Sequence, residues 1–206
     1  MKRAGVLSVI SGFSGVGKGT IVKKLVEKEG YALSVSATSR APRQGEVHGR
    51  EYFFLTREEF HSMIENNGLI EWAEYVSNFY GTPREYVEER LAGGEDVILE
   101  IEPQGALKVK AQYPEAVLIF IVPPNVKELE NRLIGRGTEE TEIIKKRLKR
   151  AAEETAFIEN YEYIVINDDL EDAVSDIHHI IQAASHKRER LGEFVDILTD
   201  DLKKSF

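Results

Sequence analysis

Short runs rich in apolar residues alternate with amphipathic stretches along most of the chain. The runs with the length of buried strands lie at residues 6–10, 96–102, 116–122 and 163–166. The first run is followed by a glycine-rich turn, by a stretch of helical period over residues 20–29 and by a further strand over 31–36. Strand, helix and strand in this order favour a parallel sheet with helices on its faces. The pattern therefore predicts an α/β fold.

The regular alternation is interrupted after residue 36. Residues 37–50 are polar, rich in arginine and punctuated by proline and glycine, as in a surface loop. A short strand, a helix opened by a capping box at Thr56 and an alternating strand follow. A second capping box, Thr82–Glu85, is predicted to start the helix that returns to the sheet. We expect the segment from 37 to 82 to be a small insertion.

The stretch Gly12–Thr20 links the first strand to the first helix. Its glycines let backbone NH groups turn inward, the helix presents its positive end, and Lys18 adds a mobile charge, as in a phosphate-binding loop. The pattern G-x-x-x-x-G-K-[ST] is met from Gly12 to Lys18, but Gly19 stands where a hydroxyl is usual and the hydroxyl follows at Thr20. A glycine turn with an incidental lysine is the alternative, and the strand before and helix after favour phosphate binding.

Composition narrows the classes of function. The chain has 206 residues, of which 42% are hydrophobic, enough for one or two compact domains. The absence of cysteine excludes disulfides, thiolate metal sites and cysteine nucleophiles. A net charge of -9 argues against binding to nucleic acid. No apolar run is long enough to cross a membrane, and the apolar run after Met1 breaks too early for a signal peptide, so we expect a soluble cytoplasmic protein.

Two groups of arginines could bind phosphate. Arg40 and Arg43 share a loop with Tyr52 nearby in sequence, a set suited to a phosphate monoester, although solvated loop arginines are the alternative. Arg132 and Arg136 lie four residues apart, and Arg147 follows on the next helix.

The second group has two interpretations. It could follow a migrating phosphoryl group, or Arg132 could form a surface pair with Glu128 four residues before it. Glycines on both sides of Arg136 favour a mobile lid.

Three acidic residues are candidates for a site. Glu71 lies in the alternating strand predicted over 69–76 and is either an outward residue or a carboxylate in a pocket; alternation favours the outward position. Glu100 and Glu102 are two apart on a predicted strand, so they point the same way and could lie near a magnesium ion and its waters. The adjacent His178 and His179 read as a surface pair, and no protein-built metal site is predicted.

No Ser/His/Asp set or activated base is evident in the sequence. If the acceptor is itself a phosphate anion, no base is needed, and catalysis reduces to positioning and charge neutralisation. This agrees with two arginine groups around one phosphate-binding loop.

Several short motifs, in this order along the chain, carry a family resemblance. They are Ser34–Ser36, Thr38–Arg43, Gly45–Gly49, Tyr52–Phe53, Ile70–Ala73, Tyr80–Thr82, Gln104–Gly105, Arg136–Thr138 and Asn167–Asp168. Together they resemble the guanylate kinase family, and the resemblance extends from the first strand to about residue 190.

The resemblance implies an enzyme that transfers the γ-phosphoryl group of ATP to GMP or dGMP, giving ADP and GDP with Mg²⁺. It implies a P-loop NTPase core with a parallel sheet flanked by helices, at residues 1–36 and 87–206. It further implies a GMP-binding insertion at 37–86 and a lid at 131–147. ATP and GMP are the expected partners, without nucleic acid or membrane, and the oligomeric state stays open.

The resemblance also implies roles for individual residues. Those similar to the GMP-binding residues are Ser36, Arg40, Arg43, Tyr52, Glu71, Tyr80, Thr82 and Glu100. Those similar to the ATP-binding residues are Gly12, Phe13, Ser14, Gly15, Val16, Gly17, Lys18, Gly19, Thr20, Arg136 and Asn167. The implied catalytic residues are Lys18, Arg40, Arg136 and Arg147.

The sequence departs from the family pattern at a few positions. Phe13 stands where proline is common, Thr82 where some members have serine, and Glu100 and Glu102 where aspartates are frequent. As the predicted helix cap, Thr82 would have little hydrogen-bonding capacity left for guanine.

Two other functions are compatible with such a fold. One is a non-catalytic interaction module, which typically loses the loop glycines, the lysine or the arginines. The other is a ribose-bisphosphate kinase, which residues Glu71 and Tyr80–Thr82 on the presumed base side disfavour.

Overall fold

The computed structural model describes residues 3–75, 77–135 and 141–206. The strands are β1 (Leu7–Gly12), β2 (Ala32–Leu33), β3 (Ala37–Thr38), β4 (Phe53–Phe54), β5 (Leu69–Tyr75), β6 (Asn78–Pro83), β7 (Val97–Glu100), β8 (Val117–Val122) and β9 (Tyr163–Ile166). The helices are α1 (Lys18–Glu29), α2 (Arg57–Glu65), α3 (Arg84–Ala92), α4 (Pro103–Gln112), α5 (Val126–Gly135), α6 (Thr141–Glu154), α7 (Leu170–Ser185) and α8 (Gly192–Lys204). Short 3₁₀ turns lie at Thr155–Asn160 and Arg188–Arg190.

A parallel sheet forms the centre of the molecule, with the strand order β2-β7-β1-β8-β9. All residues of β1 are buried, and in β8 only Val122 is partly exposed, because helices cover both faces of the sheet. This burial explains why β8 reads as a continuous apolar run in the sequence, whereas β1 also buries Ser8 and Ser11. The predicted α/β fold with a parallel sheet flanked by helices is confirmed.

Helix α1 follows the first strand directly and packs back onto the sheet. Ile21, Val22 and Leu25 are buried on its inner face. The helix ends at Gly30, which has φ 72°, and the Gly30 NH donates to the Val26 carbonyl. Helix α7 lies beside α1. These contacts fix the direction in which the start of α1 points.

A second, mixed sheet has the strand order β4-β3-β6-β5 and belongs to the segment after residue 36. It has its own small apolar cluster, formed by Ala37, Phe60, Leu69 and Phe79. The capping box predicted at Thr56 is present, since the Thr56 hydroxyl accepts from the Glu59 NH and the Glu59 carboxylate accepts from the Thr56 NH.

The structure differs from the sequence-based predictions at three places in this region. The strand expected over 31–36 is confined to β2, because the chain then leaves the central sheet and enters β3 of the second one. Strand β6 was not predicted. Thr82 does not cap α3: its hydroxyl is directed at Glu71, and Pro83 takes the cap position without a side-chain hydrogen bond.

The C-terminal part of the chain returns to helices. Helix α5 is capped by Asn125, whose Oδ1 accepts from the Glu128 NH. The motif Arg136–Thr138, which was assigned to the lid, lies outside the described residues. Helix α8 exposes much of its surface, including Phe194 and Leu202. In the part of the chain that the structure describes, no helix has both the length and the apolar character needed to cross a membrane.

Candidate active site

The turn between β1 and α1 is shaped by glycines with left-handed backbone conformations. Gly15 has φ 88° and Gly17 has φ 103°. A Cβ at Gly17 would lie 2.7 Å from the side-chain nitrogen of Asn167, and a Cβ at Gly15 would lie 2.6 Å from the Leu133 side chain. Backbone angle and space together therefore require glycine at both positions. The turn leads directly into α1, so the NH groups at the start of this helix adjoin the loop.

Lys18 lies across this loop. Its ammonium group donates to the Gly12 carbonyl over 2.6 Å and to the Phe13 carbonyl over 3.2 Å. Burial lowers the pKa of Lys18, while the carboxylates of Glu102 and Glu100 act in the opposite direction. The ammonium group is thus held at the loop by two backbone carbonyl oxygens, and the nearby carboxylates favour its charged form.

The Val16 carbonyl at the tip of the loop receives two side-chain donors. Asn167 Nδ2 donates to it over 2.7 Å, and Arg132 Nη1 donates over 3.2 Å. Arg132 also donates from Nε to Glu128 over 2.7 Å. The surface pair considered for Arg132 therefore exists, and the same guanidinium also contacts the loop.

Arg40 contacts several polar and aromatic side chains. Its Nη2 donates to Glu46 Oε1 over 2.9 Å, and Glu46 Oε2 accepts from the Arg43 NH over 2.7 Å. The guanidinium lies 5.5 Å from the Tyr52 ring centre, and the Tyr52 and Tyr80 rings are 5.9 Å apart. Arg40, Tyr52 and Tyr80 are thus brought together. The Arg43 side chain is exposed.

Sequence reasoning missed the contribution of Glu46. Its carboxylate bridges the Arg40 side chain and the Arg43 backbone, and this pairing raises the pKa of Arg40. The signal was present in the sequence, since an acid stands within reach of two arginines in one short loop.

Glu71 is buried, with 9% of its surface exposed. Its Oε1 accepts a hydrogen bond from the Thr82 hydroxyl over 2.8 Å. Burial raises the pKa of the Glu71 carboxyl, against the smaller effects of this hydrogen bond and of Lys108. The outward position favoured by strand alternation is wrong, because Glu71 is buried.

A local irregularity in the second sheet explains the orientation of Glu71. The pairing of β5 with β6 shifts between Leu69 and Trp72. Leu69, Ile70 and Glu71 are consequently all buried, in place of the alternation expected of a regular strand. On the other side, the backbone of α4 approaches the carboxylate, and a Cβ at Gly105 would lie 3.0 Å from Glu71 Oε2.

Glu100 and Glu102 both lie near the phosphate-binding loop but on different elements. Glu100 ends β7 beside Ile10 of β1, and a Cβ at Gly19 would be 3.8 Å from Glu100 Oε1. Burial raises the pKa of Glu100, and Lys18 opposes that shift. Glu102 is the residue before α4, so the prediction that both acids lie on one strand is wrong.

The other residues proposed for the site from the sequence lie on different elements of the fold. Phe13 packs edge-on against Phe120, with ring centres 5.1 Å apart. Ser36 is partly buried, and its carbonyl accepts from the Phe53 NH over 2.9 Å. Arg147 is a partly buried residue of α6. Arg136 lies outside the described residues.

The described side chains contain no group of three or more His, Cys, Asp or Glu residues that could hold a metal ion. Glu100 and Glu102 are nevertheless carboxylates beside the loop, and oxygen donors are the ligands that Mg²⁺ prefers. Their chemistry fits an ion that is shared with nucleotide phosphates.

A parallel sheet whose first strand leads through a glycine-rich loop and a lysine into a helix defines a P-loop NTPase fold. The model of the family described as Guanylate kinase matches residues 5–184. The chain belongs to the guanylate kinase family.

Individual relatives agree with the family match. A guanylate kinase of Halalkalibacterium halodurans is 53% identical over 93% of this chain and 95% of its own length. A guanylate kinase of Bacillus subtilis is 50% identical over the same shares, 93% and 95%. The crystal structure of guanylate kinase from Anaplasma phagocytophilum superimposes with a TM-score of 0.73 at 38% identity, covering 92% of this chain and 90% of that one.

Proposed function

We propose that the protein is a cytoplasmic guanylate kinase that transfers the γ-phosphoryl group of ATP to GMP or dGMP, giving ADP and GDP. The observation that carries this proposal is the buried Glu71 carboxylate held by Thr82 in a chain that also has an intact phosphate-binding loop with Lys18. Family membership supports both substrates.

The acceptor side is assigned to the insertion, residues 37–86. Guanine presents two adjacent donors, its ring NH and its exocyclic amine, and the carboxylate of Glu71 can accept from both. Adenine presents a different pattern at that edge, so Glu71 would discriminate between the bases. Ser36, Thr82 and Glu100 complete the surroundings of the base.

The acceptor phosphate is assigned to Arg40, Arg43, Tyr52 and Tyr80. Guanidinium groups pair well with phosphate oxygens, and a phenol adds a further hydrogen bond. Contact among the side chains of Arg40, Tyr52 and Tyr80 supports this role. Binding of the phosphate would separate Arg40 from Glu46, with which it forms an ion pair.

The donor side is assigned to the core, residues 1–36 and 87–206. The NH groups of Gly12–Thr20 would bind the ATP phosphates, and Asn167 would lie on the adenine side. Lys18 would exchange its carbonyl partners for phosphate oxygens. Arg136 and Arg147 would stabilise the transferring group from the lid, residues 131–147.

Magnesium is the cofactor that this reaction requires. Glu100 and Glu102 would hold it, directly or through water, together with the hydroxyl of Thr20. When bound with ATP, Mg²⁺ neutralises charge on the phosphate oxygens.

The acceptor oxygen is already anionic, so the protein need not remove a proton. Its residues would align donor and acceptor, neutralise charge and exclude water that would otherwise hydrolyse ATP. We expect the insertion and the lid to approach the core when both nucleotides are bound.

The test is ADP formation from ATP and Mg²⁺ with GMP, dGMP, AMP, UMP or CMP as acceptor. We expect turnover with GMP, and turnover with AMP, UMP and CMP at least about a hundredfold lower in kcat/KM. Binding of GMP without any transfer would favour a non-catalytic interaction module and overturn the proposal. Equal turnover with all acceptors would refute the assigned role of Glu71.

A further inference from the structure

The side chain of Arg150 connects α6 with the residue that precedes α4. Arg150 Nη2 lies 3.1 Å from Oε2 of Glu102, and Arg150 Nε donates to Oε1 of Glu154 over 3.0 Å. Glu102 immediately precedes α4, whereas Glu154 is the last residue of α6. Arg150 therefore joins carboxylates that belong to different parts of the fold.

The carboxylate that accepts from Arg150 Nε belongs to Glu154, a buried residue. Only 8% of the Glu154 side chain is exposed, compared with 44% for Arg150 and 61% for Glu102. Burial raises the pKa of Glu154, and its contact with Arg150 acts in the opposite direction. One side of the guanidinium is thus fixed within α6, which leaves the other side directed at Glu102.

Glu102 connects this pair to the phosphate-binding loop. Among the carboxylates that raise the pKa of Lys18, that of Glu102 has the largest effect, and the charge of Arg150 acts in the lowering direction. The negative charge of Glu102 therefore acts on Lys18 and is paired with Arg150. Without Arg150, Glu102 would present an unbalanced negative charge to the space that receives the ATP phosphates.

The ion pair borders a cleft of about 410 Å³. The walls of this cleft come from Tyr75 at the end of β5, from residues 102–104 and from α6. Insertion, core and α6 meet there. Arg147 precedes Arg150 by about one turn on the same helix, so a constraint on Arg150 also limits where Arg147 can lie.

We propose that Arg150 is a positioning residue for phosphoryl transfer. It holds the charge of Glu102 and fixes α6, with Arg147, beside the phosphate-binding loop. This inference rests on the proposed function. A partly exposed ion pair contributes little to stability, so the main consequence of losing it is expected in turnover.

The experiment compares Arg150→Met with Lys149→Met in the full-length protein. Lys149 lies on the same helix, lines the same cleft and makes no ion pair among the described residues, so both changes remove one positive charge. We expect Arg150→Met to lower kcat about tenfold with the KM for GMP changed less than about twofold. Lys149→Met should stay close to the unaltered protein, and Arg150→Lys should recover most of the loss.

A double-mutant cycle with Glu102→Gln identifies the partner. If Arg150 acts through Glu102, the effect of Arg150→Met should shrink to about twofold or less when Glu102 is already replaced. Equal kcat for Arg150→Met and Lys149→Met would overturn the inference. The same tenfold loss in both Glu102 backgrounds would also overturn it.

Thermal melting of each variant shows whether a loss of kcat results from unfolding. If Arg150→Met melts at a much lower temperature, the comparison rests on Arg150→Gln, which also removes the charge but keeps a polar side chain, and a kcat equal to that of Lys149→Met would contradict the proposed role. Failure of the unaltered protein to phosphorylate GMP is a different outcome, which would overturn the proposed function.

Discussion

The Thr82 hydroxyl donates a hydrogen bond to Oε1 of Glu71 over 2.8 Å, and both side chains are buried. Among the residues that the structure describes, Thr82 supplies the donors to this carboxylate, and no lysine or arginine forms an ion pair with it. Burial of such a group is costly unless a ligand supplies donors. The pair therefore has the chemistry of a pre-oriented acceptor for the two donor groups of guanine.

Replacement of Glu71 should weaken the acceptor site selectively. A glutamine keeps the shape but turns one accepting oxygen into a donating NH₂ group, which would face a donor of guanine. We expect Glu71→Gln to raise the KM for GMP about a hundredfold and to leave the KM for ATP within about twofold. Steady-state kinetics with each substrate varied in turn measures both. Glu74→Gln, on the exposed part of β5, is the matched control. A similar rise in both KM values would contradict the assignment.

The raised pKa of Glu71 should appear in the pH dependence of GMP binding. The form that accepts two hydrogen bonds is the carboxylate, so affinity should fall as the pH drops through this raised pKa. The phosphate of GMP also titrates near about pH 6, so the informative quantity is the difference between the unaltered protein and Glu71→Gln. Calorimetry from about pH 5 to about pH 8 should show a steeper acid loss in the unaltered protein. Parallel curves would show that Glu71 does not titrate with binding.

Gly105 should be required by the position of the Glu71 carboxylate. A Cβ at residue 105 would lie 3.0 Å from Glu71 Oε2, and the Thr82 hydrogen bond and burial restrict how far the carboxylate can move. We expect Gly105→Ala to raise the KM for GMP about tenfold, although alanine favours a helix more than glycine does. Gly192→Ala is the control, because no atom lies within 4 Å of the added Cβ. An unchanged KM for GMP would show that the carboxylate can adjust.

Asn167 should support the loop through its hydrogen bond to the Val16 carbonyl. Asn167→Asp keeps the size of the side chain but replaces the donating nitrogen with an oxygen, which would repel that carbonyl. We expect the KM for ATP to rise about tenfold with little change for GMP. Asn160→Asp removes a comparable but exposed bond to the Phe157 carbonyl and should have little effect. A larger loss for GMP than for ATP would place Asn167 on the other half of the site.

Sequence reasoning succeeded where the physics is local. Strand β8 is buried except for Val122 and is apolar throughout, and the loop from Gly12 to Lys18 needs glycine at fixed spacing, so both are visible in the sequence. The helix start at Thr56 is confirmed, because both partners of its capping box are neighbouring residues.

Features that depend on distant parts of the chain were missed. The irregular pairing of β5 with β6 turns Glu71 inward, and no period within β5 indicates it. The Thr82 hydroxyl could form a hydrogen bond either with the start of α3 or with Glu71. In the folded chain it bonds to Glu71. The contact of Arg150 with Glu102 joins residues far apart in sequence, so it could be found only in the folded chain.

The most direct test of the account follows the phosphoryl group itself. The protein is mixed with ATP labelled in the γ-phosphate, Mg²⁺ and GMP, and the products are separated. We predict that the label appears in the β-phosphate of GDP, that it stays in ATP when GMP is omitted, and that Lys18→Ala lowers transfer at least about a thousandfold. Release of the label as inorganic phosphate, or its absence from GDP while GMP binds, would contradict the central claim.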